Sequence, residues 1–88
     1  MAKILLRGKL TSGMFPNERV VVIKDHLGRE WTLIVPDYVV RDLGKEGFIE
    51  VQLIEKGPNV ALVRLPGEVF GSARTVTVAE SQLRPVPA

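Results

Sequence analysis

The chain has 88 residues, a formal net charge of +2 and an apolar share of 45%. A chain of this length folds as one domain around a single modest core. It has no cysteine and one histidine, His26. That composition excludes disulfides, thiolate nucleophiles and the multi-ligand clusters that zinc or iron needs, so no cofactor or metal is expected.

No apolar run approaches the roughly 18 residues of a membrane span. The opening MAKILLRGKL carries charge on both sides of a very short apolar run, unlike the uninterrupted apolar core of a secretory signal. The expectation is a cytoplasmic protein that enters no membrane. Charge is unevenly placed. Residues 1–24 hold Lys3, Arg7, Lys9, Arg19 and Lys24 against Glu18, a balance of +4, while residues 25–88 hold seven bases and nine acids, a balance of −2. An asymmetry of this kind fits an anionic partner.

In chain order the pattern is strand and turn. KILLRGKL (3–10) alternates, with Ile4, Leu6 and Leu10 on one face and Lys3, Arg7 and Lys9 on the other. The run TSGMFPN breaks it. RVVVIKD (19–25) is rich in β-branched residues and predicts a strand. HLGRE supplies a turn with Gly28, and WTLIVP (31–36) returns, so 19–36 predicts a hairpin.

Pro36 ends that strand. DYVVRDLGKEG then predicts a short helical turn near 37–43, capped by Gly44 or Gly47. FIEVQLIEK (48–56) alternates, GPN turns the chain, and VALVRLP (60–66) comes back. GEVFGSA is a glycine-bearing loop, and RTVTV (74–78) predicts the last strand. AESQL predicts one helical turn that tucks Leu83 inward, and two prolines keep RPVPA out of any central strand.

Six short strands with short connections predict an all-β fold, a single small barrel, over residues 1–84 with a tail at 85–88. Closing the sheet also removes exposed edges. A likeness at an offset of 30 sets VVIKDHLGREWTLIVPDYVV (21–40) over VQLIEKGPNVALVRLPGEVF (51–70), as two similar hairpins around one core.

Few residues suggest catalysis. His26 lies in the turn Asp25-His26-Leu27-Gly28 with no nucleophile paired to it, and Gly44-Lys45-Glu46-Gly47 lacks the length and hydroxyl of a phosphate loop. A non-enzymatic binding or adaptor module is expected. Its best candidate surface is the basic stripe Lys3, Arg7 and Lys9, supported by Arg19 and Lys24, which suits phosphates of a nucleic acid or another anion. The competing reading is a solvated face that protects a strand edge.

Trp31, Tyr38, Phe15, Phe48 and Phe70 do not make the paired stacking platform of a single-strand binder, and Trp31 and Phe48 suit the core or a barrel end. Met14, Phe15 and Pro16 form an apolar loop tip that suits a protein partner. Leu5, Val21, Ile34, Ile54 and Leu62 fall opposite the expected core face. Clustered, they would call for a homodimer or a partner; scattered, they would mean nothing.

Two resemblances bear on this. IEVQLIEKGPNVALVRLPGEVFGSARTVTVAESQLRP, about residues 50–85, resembles Src-homology-3-like small barrels of the bacterial kind, with a hairpin, an insert loop, a strand and a short turn before the tail. That likeness implies a binding or assembly module. VVVIKDHLGREWTLIVPDYVVRDLGKEGFIEV is similar to SpoVT/AbrB-type swapped-hairpin transcription factors in Asp25-x-Leu27-Gly28-Arg29, in Val35-Pro36, in Arg41 and in Leu43-Gly44. That likeness implies a dimeric DNA-binding regulator with Arg29 and Arg41 on its DNA face. The stretch between Arg29 and Pro36 is about three residues too long for it, and the first and last strands are extra.

Overall fold

The computed structural model describes residues 2–12, 16–43, 46–66, 68–69 and 75–86. Met14, Phe15, Gly44, Phe70 and the start of the last expected strand at Arg74 lie outside the described residues. The fold is all-β: one curled antiparallel sheet forming a half-barrel. Its strands are β1 (Ala2–Ser12), β2 (Glu18–Lys24), β3 (Glu30–Pro36), β4 (Val40–Leu43), β5 (Glu46–Lys56), β6 (Val60–Arg64), β7 (Glu68–Val69), β8 (Thr75–Ala79) and β9 (Leu83–Arg84). Two 3-10 turns, Asp37–Val39 and Glu80–Gln82, precede β4 and β9. Among the described residues no helix is long and apolar enough to cross a membrane.

The six expected strands are all present, and β4, β7 and β9 are added to them. The short helical turn expected after Pro36 is present as a single 3-10 turn. It closes with Val40 N–H donating to the Asp37 carbonyl, and the chain continues as β4. Gly47 caps nothing: it lies inside β5, opposite Gly8. Val39 and Val40 are β-branched and pack against the core, which favours a strand over further helical turns.

The strand order is β7-β3-β2-β1-β5-β6-β8, with β4 beside β5 and β9 beside β1. β1 changes partner along its length. Residues 2–8 pair with β5, and residues 9–12 pair with β2.

These pairings carry an internal pseudo-dyad. Shifting by 43 residues turns β1 into β5, β3 into β8, the first 3-10 turn into the second and β4 into β9; shifting by 42 turns β2 into β6. The pair Leu6↔Ile49 lies on the axis, and each half lends its last strand to the other half's first. Small contacts obey the same rule. The Asn17 carbonyl accepts from Asp37 N–H at 2.8 Å, and the Asn59 carbonyl accepts from Glu80 N–H at 3.0 Å. His26 N–H donates to the Thr77 carbonyl on β8, as the β7 residue Glu68 pairs with Ile34 on β3. The offset-30 likeness is therefore not the symmetry of the fold, because it equates β2 with β5, whereas β2 corresponds to β6.

The core lies inside the curl. Leu6, Val21, Ile23, Leu33, Val35, Ile49, Val51, Val63, Leu65, Val76 and Val78 form one buried cluster, with Leu83 packed against it as expected. Two residues expected on the outside are buried. Val21 faces inward with Ile23, because its partner Leu33 lies on the concave side. Leu5 does lie on the outer face of β1, but it is fully covered there. Ile34, Ile54 and Leu62 are half-buried on separate strands.

Candidate anion-binding face

The turn between β2 and β3 is built around Asp25. Its carboxylate is almost fully buried and accepts from Leu27 N–H and Arg29 N–H at 2.9 Å each, from Arg29 Nε at 2.9 Å and from Trp31 Nε1 at 3.1 Å. Gly28 takes φ +83 so that the chain can wrap the carboxylate. Burial alone would push the Asp25 pKa up. The hydrogen bonds, led by the Trp31 indole, outweigh it and hold the pKa at about 2. Arg29 is thus engaged at Asp25, with its guanidinium 5.9 Å from the Trp31 ring centre. Trp31 is half-buried and packs against the core cluster.

A titration prediction follows from the lowered value. The stability that Asp25 contributes is present above the ordinary carboxylate range near pH 4 and is lost as pH falls toward 2. In thermal melts Asp25→Asn is expected to melt several degrees below the parent at pH 6. At pH 2 that deficit should shrink; an equal deficit at both pH values would contradict the hydrogen-bonded carboxylate.

The outer face of β4-β5-β1-β9 collects cations. Directly paired residues share a face in an antiparallel sheet. Lys3 pairs with Gln52 and Gln52 with Arg64; Leu5 pairs with Glu50 and with Arg84; Arg7 pairs with Phe48, and Phe48 with Arg41. Lys9 continues the same side of β1. Lys3, Arg7, Lys9, Arg41, Arg84 and, on the adjoining β6, Arg64 therefore share one side, six of the twelve Lys and Arg, against Glu46, Glu50 and Glu55.

At the middle of this face sit Leu5 and Phe48, at 0% and 1% exposure, outside the main core cluster. The Arg84 guanidinium roofs the Phe48 ring 5.1 Å from its centre. Arg41 pairs with Glu50 and also donates to the Tyr38 carbonyl at 2.9 Å and the Val40 carbonyl at 3.2 Å. Lys3 reaches Glu50 at 3.9 Å, and Arg7 reaches Glu46 at 3.0 Å. The pseudo-dyad relates these last two pairs with the charges exchanged, since Lys3 corresponds to Glu46 and Arg7 to Glu50. Among the described residues Lys9, Lys24, Arg64 and Arg84 have no carboxylate within ion-pair distance.

Two notches flank the β1–β5 pair. One, of about 410 Å³, is lined by Arg7, Gly8, Lys9, Lys24, Glu46 and Gln82 among others. The other, of about 280 Å³, is lined by Lys3, Val39, Glu50, Val51, Gln52 and Arg64 among others. They are pseudo-equivalent: each opens where a long strand leaves the short strand beside it and joins the next hairpin.

The structure thus brings Lys3, Arg7 and Lys9 onto one face, and Lys24 joins Arg7 and Lys9 at the larger notch. Arg19 does not join them. It alternates to the other side of β2, donates from Nε to the Thr11 carbonyl at 3.3 Å and lies 3.8 Å from Asp37. Arg29 and Arg41 are separated, one in the Asp25 turn and one beside Glu50. Of the apolar loop tip only Pro16 is described, and it is exposed.

Arg64 and Arg84 were not anticipated. The signal for Arg84 was in the sequence: TLIVPDYVVR (32–41) and TVTVAESQLR (75–84) repeat at the offset of 43 and both end on arginine. No protein-family model, no curated protein and no solved structure matches the chain.

Proposed function

We propose that this chain is a non-enzymatic binding module that engages a polyanion, foremost a nucleic-acid backbone, through the outer face of β4-β5-β1-β9. The observation that carries the reading is the gathering of six cations on that face and its continuation onto β6, against the three carboxylates of Glu46, Glu50 and Glu55, from strands far apart in sequence. Surface pairs such as Arg7–Glu46 are worth little in water and exchange readily for phosphate contacts. Lys9, Arg64 and Arg84, which have no carboxylate partner among the described residues, are available to an incoming anion.

The Src-homology-3-like reading fits this role as a scaffold. Its support is the five-strand unit β9-β1-β5-β6-β8, in which a 3-10 turn leads into a last strand beside the first. Fold alone does not fix a partner, so the charge pattern bears the functional reading.

Fluorescence anisotropy with labelled nucleic acid tests it. About four phosphate contacts give a slope of roughly −3.6 in log K against log salt, so affinity falls about a hundredfold between 50 and 200 mM salt. A Lys9→Ala, Arg64→Ala, Arg84→Ala variant should bind at least tenfold more weakly with a flatter slope. Binding that ignores both salt and this variant would remove the reading.

A further inference from the structure

The two halves of the face related by the pseudo-dyad carry equal net charge, although of their cations only Arg41 and Arg84 are pseudo-dyad mates. Around the smaller notch stand Lys3, Arg41 and Arg64 with Glu50. Around the larger stand Arg7, Lys9 and Lys24, with Arg84 on the neighbouring β9, against Glu46 and Glu30. Each half carries a balance of +2. Lys3 and Lys9 are six residues apart on β1, which a strand spreads over about 20 Å. The major groove of B-form DNA is roughly 12 Å wide between its bounding phosphates, so cations spread this far meet both strands.

The aromatic content of the face argues against unpaired bases. Binders of single strands stack bases on exposed rings. Among the described residues, Phe48 is 1% exposed and already roofed by Arg84, and Tyr38, whose carbonyl takes Arg41, is exposed but has no second exposed ring beside it to make a platform.

We propose that the two notches take one strand each of a B-form duplex, with the pseudo-dyad of the protein laid along a dyad of the DNA. The inference rests on the polyanion reading and adds the ligand's form and its two-sided docking. It makes the binding sequence-independent, because contacts to phosphates carry no sequence information.

Anisotropy titrations of the full chain decide it. The probes are a 14-base-pair DNA duplex, one of its strands alone, and an RNA duplex of the same sequence, at 50 and 150 mM salt. The duplex DNA should bind at least tenfold more tightly than the single strand and more tightly than duplex RNA, whose major groove is deep and narrow. Lys3→Ala with Arg64→Ala, and Lys9→Ala with Lys24→Ala, should each flatten the salt slope by about 2 and weaken duplex binding to a similar degree.

Lys56→Ala, which removes a lysine paired with Glu80 away from this face, should change neither. Circular dichroism melts confirm that each variant is folded. Equal affinity for the single strand, or loss confined to one notch, would overturn the two-sided docking while leaving the polyanion reading intact. No binding of any probe at 50 mM salt would overturn that reading and the docking with it.

Discussion

Ile49→Ala is expected to cost about 2–5 kcal/mol of stability. Ile49 is fully buried and lies on the pseudo-dyad. Val40, Ile49, Leu6 and Leu83 form one row across β4, β5, β1 and β9. That row joins the two halves, because each half's last strand docks against the other half's first through it. Truncation leaves a cavity where four strands meet, and long strands held by their ladders cannot collapse to fill it. A small domain has roughly 5–15 kcal/mol in total, so the loss is a large fraction.

Urea titration should show a lower midpoint with an unchanged slope. Ile54→Ala, on the half-buried outer side of the same strand, should cost much less. Equal costs would mean that the row is not the centre of the fold.

The second large effect comes from filling the glycine pair. Gly8 and Gly47 face each other across β1 and β5. A Cβ on Gly47 would lie 2.5 Å from both Cγ and Cδ1 of Leu10 and 3.1 Å from the Gly8 carbonyl oxygen. A Cβ on Gly8 would lie 2.6 Å from Cγ1 of Val21. Leu10 packs on the core and Val21 is fully buried in it, so neither can step aside freely.

Gly47→Ala and Gly8→Ala are each expected to cost about 1–3 kcal/mol through overpacking. The pseudo-dyad sharpens the contrast, because the corresponding pair on the other side is Ile4↔Val51, two full side chains. The glycines are needed on the side where β1 turns from β5 to β2. If this is the cause, Leu10→Ala should cost less in the Gly47→Ala background than in the parent, a coupling that a double-mutant cycle measures. Strict additivity would locate the cost elsewhere.

The major strands were legible because alternation and β-branched runs report on backbone form locally. β7 and β9 have two residues each, too few to show a period, and β4 sits in a stretch whose proline and glycines suggested a helical turn. The face of β2 was ambiguous for a clear reason. Val20, Val21 and Val22 are identical side chains, so only pairing with Leu10 and Leu33 decides that Val21 goes inward. Leu5 misled because a strand in a half-barrel was assumed dry on one side only. Leu5 and Phe48 are both buried on that outer side, with Arg84 over the Phe48 ring.

The candidate face was half legible. Lys3, Arg7 and Lys9 stand on one strand, so alternation alone aligns them. Arg41, Arg64 and Arg84 reach the same face through cross-strand register, which no local pattern encodes. Arg19 was grouped by proximity in sequence, and the odd and even positions of β2 separate it from Lys24. The Asp25 turn was read for its glycine, whereas its chemistry lies in a buried carboxylate that takes up Arg29 and the Trp31 indole.

The most direct test of the polyanion-binding face is a residue-resolved map of the bound surface. Backbone amide NMR spectra of the isotope-labelled chain, recorded during titration with a short DNA duplex, give that map. The expected result is shifts concentrated at Lys3, Arg7, Lys9, Lys24, Arg41, Arg64 and Arg84, fading as salt is raised, with the Asp25 turn and Lys56 unmoved. Shifts centred on the Asp25 turn, or no shifts at low salt, would contradict the account.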